Sequence, residues 1–249
     1  MSAILKDRAI ILRTREFGET SLVVTALLRA AGRTGLLAKG ARRPGSQLHG
    51  RFRTGNLGDL VYYGKEGRAL QTVREFSAAP VIDPARAGLE TLCIFQAGLE
   101  LVDRISTAGE TGEGLFDLFE GFIRSLDRCR DPWAVFFALE AGLLGSAGVM
   151  PDLQRCDRCK KLLAGCVFSV NPSTGAVTCA GCGASGPALG AAGCRLLELV
   201  TGTDRGAVLA AETGPAVRRE LGTVLHRLLE HHVAGYRLPA ALSILKGKG

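Results

Sequence analysis

The sequence predicts an α+β chain: a five-stranded β-barrel first, then an all-α domain carrying an inserted zinc ribbon. Three observations predict this. Residues up to 76 fall into short apolar runs joined by glycine-rich turns. Beyond them, apolar residues recur at helical spacing. Two Cys-x-x-Cys pairs, Cys156/Cys159 and Cys179/Cys182, then break into the helical pattern with 19 residues between them. The expected domains are 1–79 and 80–249, with the ribbon at 153–186.

The strands are expected in order at Ala9–Leu12, Ser21–Leu28, Thr34–Ala38, Asp59–Tyr63 and Ala69–Phe76. Phe17-Gly18-Glu19, Ala31-Gly32 and Gly64-Lys65-Glu66-Gly67 are the joins. Five short strands in this length suit a small closed barrel of the OB type, and an open sheet is the other arrangement the pattern allows. Ala78–Pro84 reads as a linker, with Asp83 capping a helix and Pro84 at its first position. Helices are expected from there to about Ile105, over Glu113–Arg128, and from the Asp131-Pro132 cap to near Gly148. Two more follow the ribbon. The last carries Leu221, Val224, Leu225, Leu228 and Leu229 as one apolar stripe, with His226, His231 and His232 read as helix surface. The apolar tract Ala134–Met150 is broken by Glu140 and by Gly and Ser, so a buried helix is expected there rather than a membrane span.

Charge is unevenly distributed along the 249 residues. The net charge is +7, yet residues 1–80 hold 14 Lys/Arg against 6 Asp/Glu, and the rest hold 17 against 18. A basic module joined to a near-neutral one points to an anionic polymer as partner for the first. The densest segment is Lys39–Arg53, where Lys39, Arg42, Arg43, Arg51 and Arg53 stand with no acid among them. Arginine forks match phosphate oxygens. Phe52, between two arginines, has two readings: a ring on which a base stacks, or a core residue that opens a strand.

The cysteine spacing carries its own chemistry. Zinc takes four thiolates at tetrahedral corners, and each Cys-x-x-Cys turn supplies one edge. Between the pairs, Val167–Val170 and Gly175–Thr178 read as a hairpin around Asn171-Pro172-Ser173-Thr174-Gly175. Disulfides are the competing reading, but eight cysteines without a secretion signal favour a reducing, cytoplasmic compartment. A redox pair would need only one of the two motifs. Four thiolates leave zinc no open position for water, so the expected role is structural. Arg155, Arg158, Lys160 and Lys161 would offset the charge of the thiolates. Cys166 has no partner two residues away and reads as a packed thiol. Gly181–Gly186 matches G-x-G-x-x-G but contains a ligand cysteine and follows no parallel strand, so it is not read as a dinucleotide site.

Gly18-Glu19, Thr25-Ala26-Leu27-Leu28, Gly32-Arg33 and Ala38-Lys39-Gly40-Ala41-Arg42-Arg43, with Ser46 and Leu48, resemble the amino-terminal domain of the RecO family of bacterial DNA-repair proteins. The layout of basic barrel, helices and inserted cysteine pairs is similar to that family along nearly the whole chain. Arg33 stands where many members have lysine, and Gln47 where many have a basic residue. The resemblance implies a recombination mediator that binds single- and double-stranded DNA and anneals complementary strands. It also implies work with RecR to load RecA onto DNA coated by the single-strand binding protein SSB. RecF and RecA are then indirect partners, Arg33 joins the loop residues as a DNA contact, and the location is the bacterial nucleoid. Some members lack the cysteines, which sets zinc apart from the shared activity.

No catalytic pattern accompanies these motifs. There is no His-Glu-x-x-His, no Gly-x-Ser-x-Gly and no acid from Lys39 to Gly58 to hold a nuclease metal beside phosphates. A binding protein is expected rather than an enzyme. The alternative is an RNA-binding zinc-ribbon protein of translation or transcription.

Overall fold

The alternation of apolar and polar residues in the first third closes into a barrel, strand order β1-β2-β3-β5-β4 and back to β1. The computed structural model describes residues 3–83, 85–107, 112–163 and 166–246. The strands are β1 (Ala3–Phe17), β2 (Ser21–Leu28), β3 (Gly32–Ala38), β4 (Leu57–Gly64) and β5 (Gln71–Ala79). All neighbours are antiparallel except β3 and β5, which pair in parallel over Leu36↔Gln71 and Leu37↔Thr72.

β1 is much longer than the expected Ala9–Leu12, because it serves two partners. Its first half pairs with β4, from Ala3↔Gly64 to Ile10↔Leu57, and its second half with β2, from Ala9↔Leu28 to Phe17↔Ser21. Only the overlap, Ala9 to Leu12, is buried. The charged flanks are ordered by backbone pairing, which leaves no hydrophobic trace in the sequence. β5 runs through Ala79 and takes in part of the expected linker. Ala9, Ile11, Val24, Leu28, Leu36, Leu60, Tyr62 and Phe76 fill the interior.

By packing, the chain divides into two compact units, Met1–Asp127 and Arg128–Gly249. The first unit holds the barrel with α1 (Leu89–Ile105) and α2 (Glu113–Leu126). Helix α1 starts after Gly88, with no side-chain cap, rather than at Asp83. Asp83 is committed to a local turn: its carboxylate accepts from the Ala85 amide and its carbonyl from Arg86 and Ala87. Pro84 lies outside the described residues. The two helices cross closely at Gly98, where a Cβ would stand 2.3 Å from Phe122.

In the second unit, α3 (Pro132–Ser146) packs with α4 (Ala191–Thr201) and α6 (Pro215–His232), joined by the short α5 (Arg205–Ala210) and α7 (Leu242–Lys246). Asp131 caps α3 as expected, its carboxylate accepting from the Trp133 amide at 2.9 Å. Its other oxygen accepts from the Thr213 amide at 2.7 Å and from Arg218 at 3.1 Å. The Arg218 guanidinium also lies over the Trp133 ring, 5.5 Å from its centroid.

α3 is buried nearly all round, and Glu140 at its centre is 0% exposed. A buried carboxylate needs partners. His226 Nδ1 lies 2.8 Å from Glu140 Oε1, and the Tyr236 hydroxyl donates to the same oxygen at 3.3 Å. His226 is therefore part of a buried polar cluster, which corrects its reading as helix surface. Burial and the Glu140 charge push the Tyr236 hydroxyl pKa up. The Lys246–Gly249 tail expected to be loose lies, from 247 on, outside the described residues.

The ribbon is a three-stranded sheet of β6 (Phe168–Val170), β7 (Val177–Cys179) and β8 (Ala188–Leu189), order β7-β6-β8. The expected hairpin is present, with β7 starting two residues later than expected. Its turn is built by Asn171, whose side-chain oxygen accepts from the Ser173 amide at 2.9 Å, and by Gly175 at φ 71°. β8, only two residues long, carries no legible pattern.

Candidate nucleic-acid interface and metal centre

The basic loop between β3 and β4 is a chain of hydrogen-bonded turns. Arg43 NH bonds the Gly40 carbonyl, Ser46 NH that of Arg43, and His49 NH that of Ser46. Gly40 (φ 70°) and Gly45 (φ 80°) adopt the left-handed conformation that lets the chain double back around Ala41–Pro44. Three apolar residues pin the loop to the barrel: Ala41, Leu48 and Phe52 all join its core.

Phe52 settles on one of its two readings. It is 5% exposed, and its ring stacks on Phe76 at 5.0 Å between centroids. Both faces are thus committed to the interior, which corrects the base-stacking role. Phe52→Leu should lower barrel stability by about 1–2 kcal/mol and leave single-strand affinity unchanged. A stacking role would instead cost about 1–3 kcal/mol of binding. Chemical denaturation and fluorescence anisotropy on the same variant distinguish the two.

The expected cations separate into two groups. Arg33 donates to Asp103 of α1 at 3.0 Å and is only 30% exposed, so it is bound to a carboxylate within its own unit. Asp103 thus competes for the charge that a phosphate would meet. Arg8 with Glu120 (2.9 Å) and Arg29 with Asp117 (2.8 Å) are tied up in the same way. Arg29 grips Asp117 with both ends of its fork and holds that carboxyl below its usual range. Arg42 bonds Glu16 at 3.0 Å and the Gly18 and Glu19 carbonyls, so it staples the loop to the β1–β2 turn. Arg51 donates to the Phe76 carbonyl at 3.2 Å while remaining on the exterior. Lys39, Arg43 and Arg53 are exposed, and among the described residues no carboxylate lies within ion-pair distance of them. They are the loop's open charges. Sequence composition counts all these residues alike, because the acids on α1 and α2 that engage Arg8, Arg29 and Arg33 are far away in the chain.

At the other site, the sulfurs of Cys156, Cys159, Cys179 and Cys182 all lie within 4.8 Å of one another. Cys159 Sγ and Cys179 Sγ are 3.7 Å apart. Corners of a tetrahedron with zinc–sulfur bonds of about 2.3 Å are about 3.8 Å apart, so the donor set fits zinc. The first knuckle turns at Lys160 (φ 60°), and the second is a single 3₁₀ turn, Ala180–Cys182, leaving through Gly183 (φ 83°). Asp157 locks the knuckles together: its amide donates to the Val177 carbonyl at 2.8 Å, and its carboxylate accepts from the Val177 amide at 2.7 Å. Backbone amides of Cys159 and Cys179 aimed at Cys156 pull its thiol pKa down to about 6, favouring the thiolate a metal needs. Of the nearby cations, Arg158 bonds the Cys182 carbonyl at 2.7 Å, and Lys160 lies 3.8 Å from Asp157. Cys166 is not in the cluster. Ser169, Thr178 and Ser185 form a hydroxyl chain with 2.9 Å links across the ribbon, a feature the sequence reading missed.

A closed five-stranded barrel bearing a basic loop shares one chain with a helical unit and a four-cysteine ribbon. Comparison with known families places this arrangement in the DNA-repair class. The model for the recombination protein O N terminal matches residues 1–80, and that for the recombination protein O C terminal matches residues 86–240. The chain belongs to the RecO family of DNA repair proteins. It is 27% identical to the DNA repair protein RecO of Anaeromyxobacter dehalogenans (strain 2CP-C) over 246 residues, covering 95% of this chain and 94% of that one. It is 25% identical to that of Bacillus pumilus over 236 residues, 94% of this chain and 91% of the relative. With that of Bacillus subtilis it shares 29% identity over 157 residues, 63% of this chain and 61% of the relative. No described helix is long and apolar enough to cross a membrane.

Proposed function

We propose that this chain is a non-enzymatic recombination mediator. It binds single- and double-stranded DNA through the barrel, anneals complementary strands and, with RecR, helps load RecA onto SSB-coated single strands in the bacterial cytoplasm. The observation that carries the DNA-binding step is the trio Lys39, Arg43 and Arg53, exposed on one ordered loop with no carboxylate partner among the described residues. Annealing follows from the same charges, since neutralising phosphates lowers the repulsion between two strands. The four cysteines hold a structural zinc that cross-links the ribbon. With all four positions taken by sulfur, the metal has no place for a reacting water.

The test is annealing of two complementary strands without nucleotide, with and without SSB. The expected result is annealing in both cases, with naked and with SSB-coated strands. Annealing that needs ATP, or that stops when SSB is added, would overturn the mediator reading.

A further inference from the structure

β5 loses its alternation beside the basic loop. Val61 pairs with Glu75 and Tyr62 with Val73, so Arg74 is an extra residue with no partner across the ladder. Such bulges re-aim side chains. Here Arg74 and Glu75 are both exposed, between buried Val73 and Phe76. Glu75 thereby joins the lining of a cleft of about 300 Å³, together with Gln47, Leu48, Arg51, Phe76 and Ser77. That is the small end of the range for single small ligands, roughly 300–1,000 Å³.

The cleft differs from the phosphate track next to it. It contains the Glu75 carboxylate, which repels phosphate and whose Oε1 pairs with Arg74 at 3.0 Å, leaving its other oxygen to accept from a ligand. Its guanidinium is held by the Phe76 carbonyl at 3.2 Å, so that group is oriented before any ligand arrives. Gln47 adds an amide and Ser77 a hydroxyl, while Leu48 and Phe76 are apolar. An acceptor, one oriented guanidinium and further donors in one small cleft suit the edge of a base better than a phosphate.

The geometry points to a subsite for one unstacked base carrying an exocyclic amine, with cytosine the pyrimidine it selects; this rests on the single-strand binding proposed above. Cytosine offers its N4 amine to the Glu75 carboxylate, and ring N3 and O2 acceptors to donors such as Arg51 and Gln47. Thymine presents O4 where cytosine has the amine, setting oxygen against carboxylate.

Fluorescence anisotropy with labelled oligo-dC and oligo-dT tests this. The intact protein should bind oligo-dC roughly three- to tenfold tighter, the effect of one additional hydrogen bond. Glu75→Ala should bring the ratio to about one by weakening oligo-dC, and Arg74→Ala, which removes the ion-pair partner of Glu75, should keep the preference. Equal binding of both oligomers by the intact protein overturns the subsite. So does a preference that survives Glu75→Ala, or a Glu75→Ala variant that strengthens both oligomers equally, since the carboxylate would then only be repelling phosphate. If neither oligomer binds, it is the single-strand reading that fails.

Discussion

Replacing Cys156 or Cys182 by serine is expected to release the metal and unfold the ribbon while the barrel keeps its DNA affinity. The sheet there consists of strands of three, three and two residues, too little to hold itself together. Structural zinc contributes on the order of 10–16 kcal/mol to folding in comparable small modules. Losing one of four sulfurs removes much of that. Metal analysis should find one zinc in the intact chain and little in either variant. Amide exchange should speed up across 168–179, with residues 3–79 unchanged. A variant that retains both metal and slow exchange would show that the ligand set is wrong. Variants that stay folded but lose DNA binding would make the ribbon a binding surface.

Binding to single strands should weaken roughly 20-fold between about 50 and 200 mM salt. That figure follows from the three open phosphate contacts, Lys39, Arg43 and Arg53, at a slope of about −0.7 each. Lys39→Ala with Arg43→Ala should flatten the slope by about 1.4 units, equally for different base compositions outside the cleft preference, because phosphates carry no sequence information. Arg42 is unsuited to this test, since removing it would also free the loop from Glu16 and the β1–β2 turn. Arg218 is unsuited as a control, being bound to Asp131. Exposed Arg219 is the better control and should change the slope little. A salt series in which the double variant matches the intact chain would move the DNA site away from the loop.

What the sequence disclosed follows from the range of each interaction. The five strands, the Asp131 cap and the two Cys-x-x-Cys turns depend on neighbours a few residues apart, and all left a trace in the sequence. The reach of β1 was not, because Ala3 owes its order to Gly64 rather than to its own side chain. Phe52 looked like a ligand-facing aromatic because its two flanking arginines are local, whereas the ring it packs on, Phe76, is remote. The same holds for Arg33 and Asp103, and for Glu140 with His226 and Tyr236. In each case the partner that fixes a polar or aromatic side chain arrives only with the fold.

The pairing of β1 with β4 also bears on how the chain is born. While only β1, β2 and β3 have left the ribosome, the edge of β1 from Ala3 to Ile10 has no partner until residues 57–64 follow. An open edge of that length is a template for pairing with other chains, and contacts so distant in sequence form slowly. The ribbon's ligands, by contrast, all lie between Cys156 and Cys182. The ribbon can therefore bring its four sulfurs together within its own segment, while the barrel depends on β4 to cover the open edge of β1 against neighbouring chains.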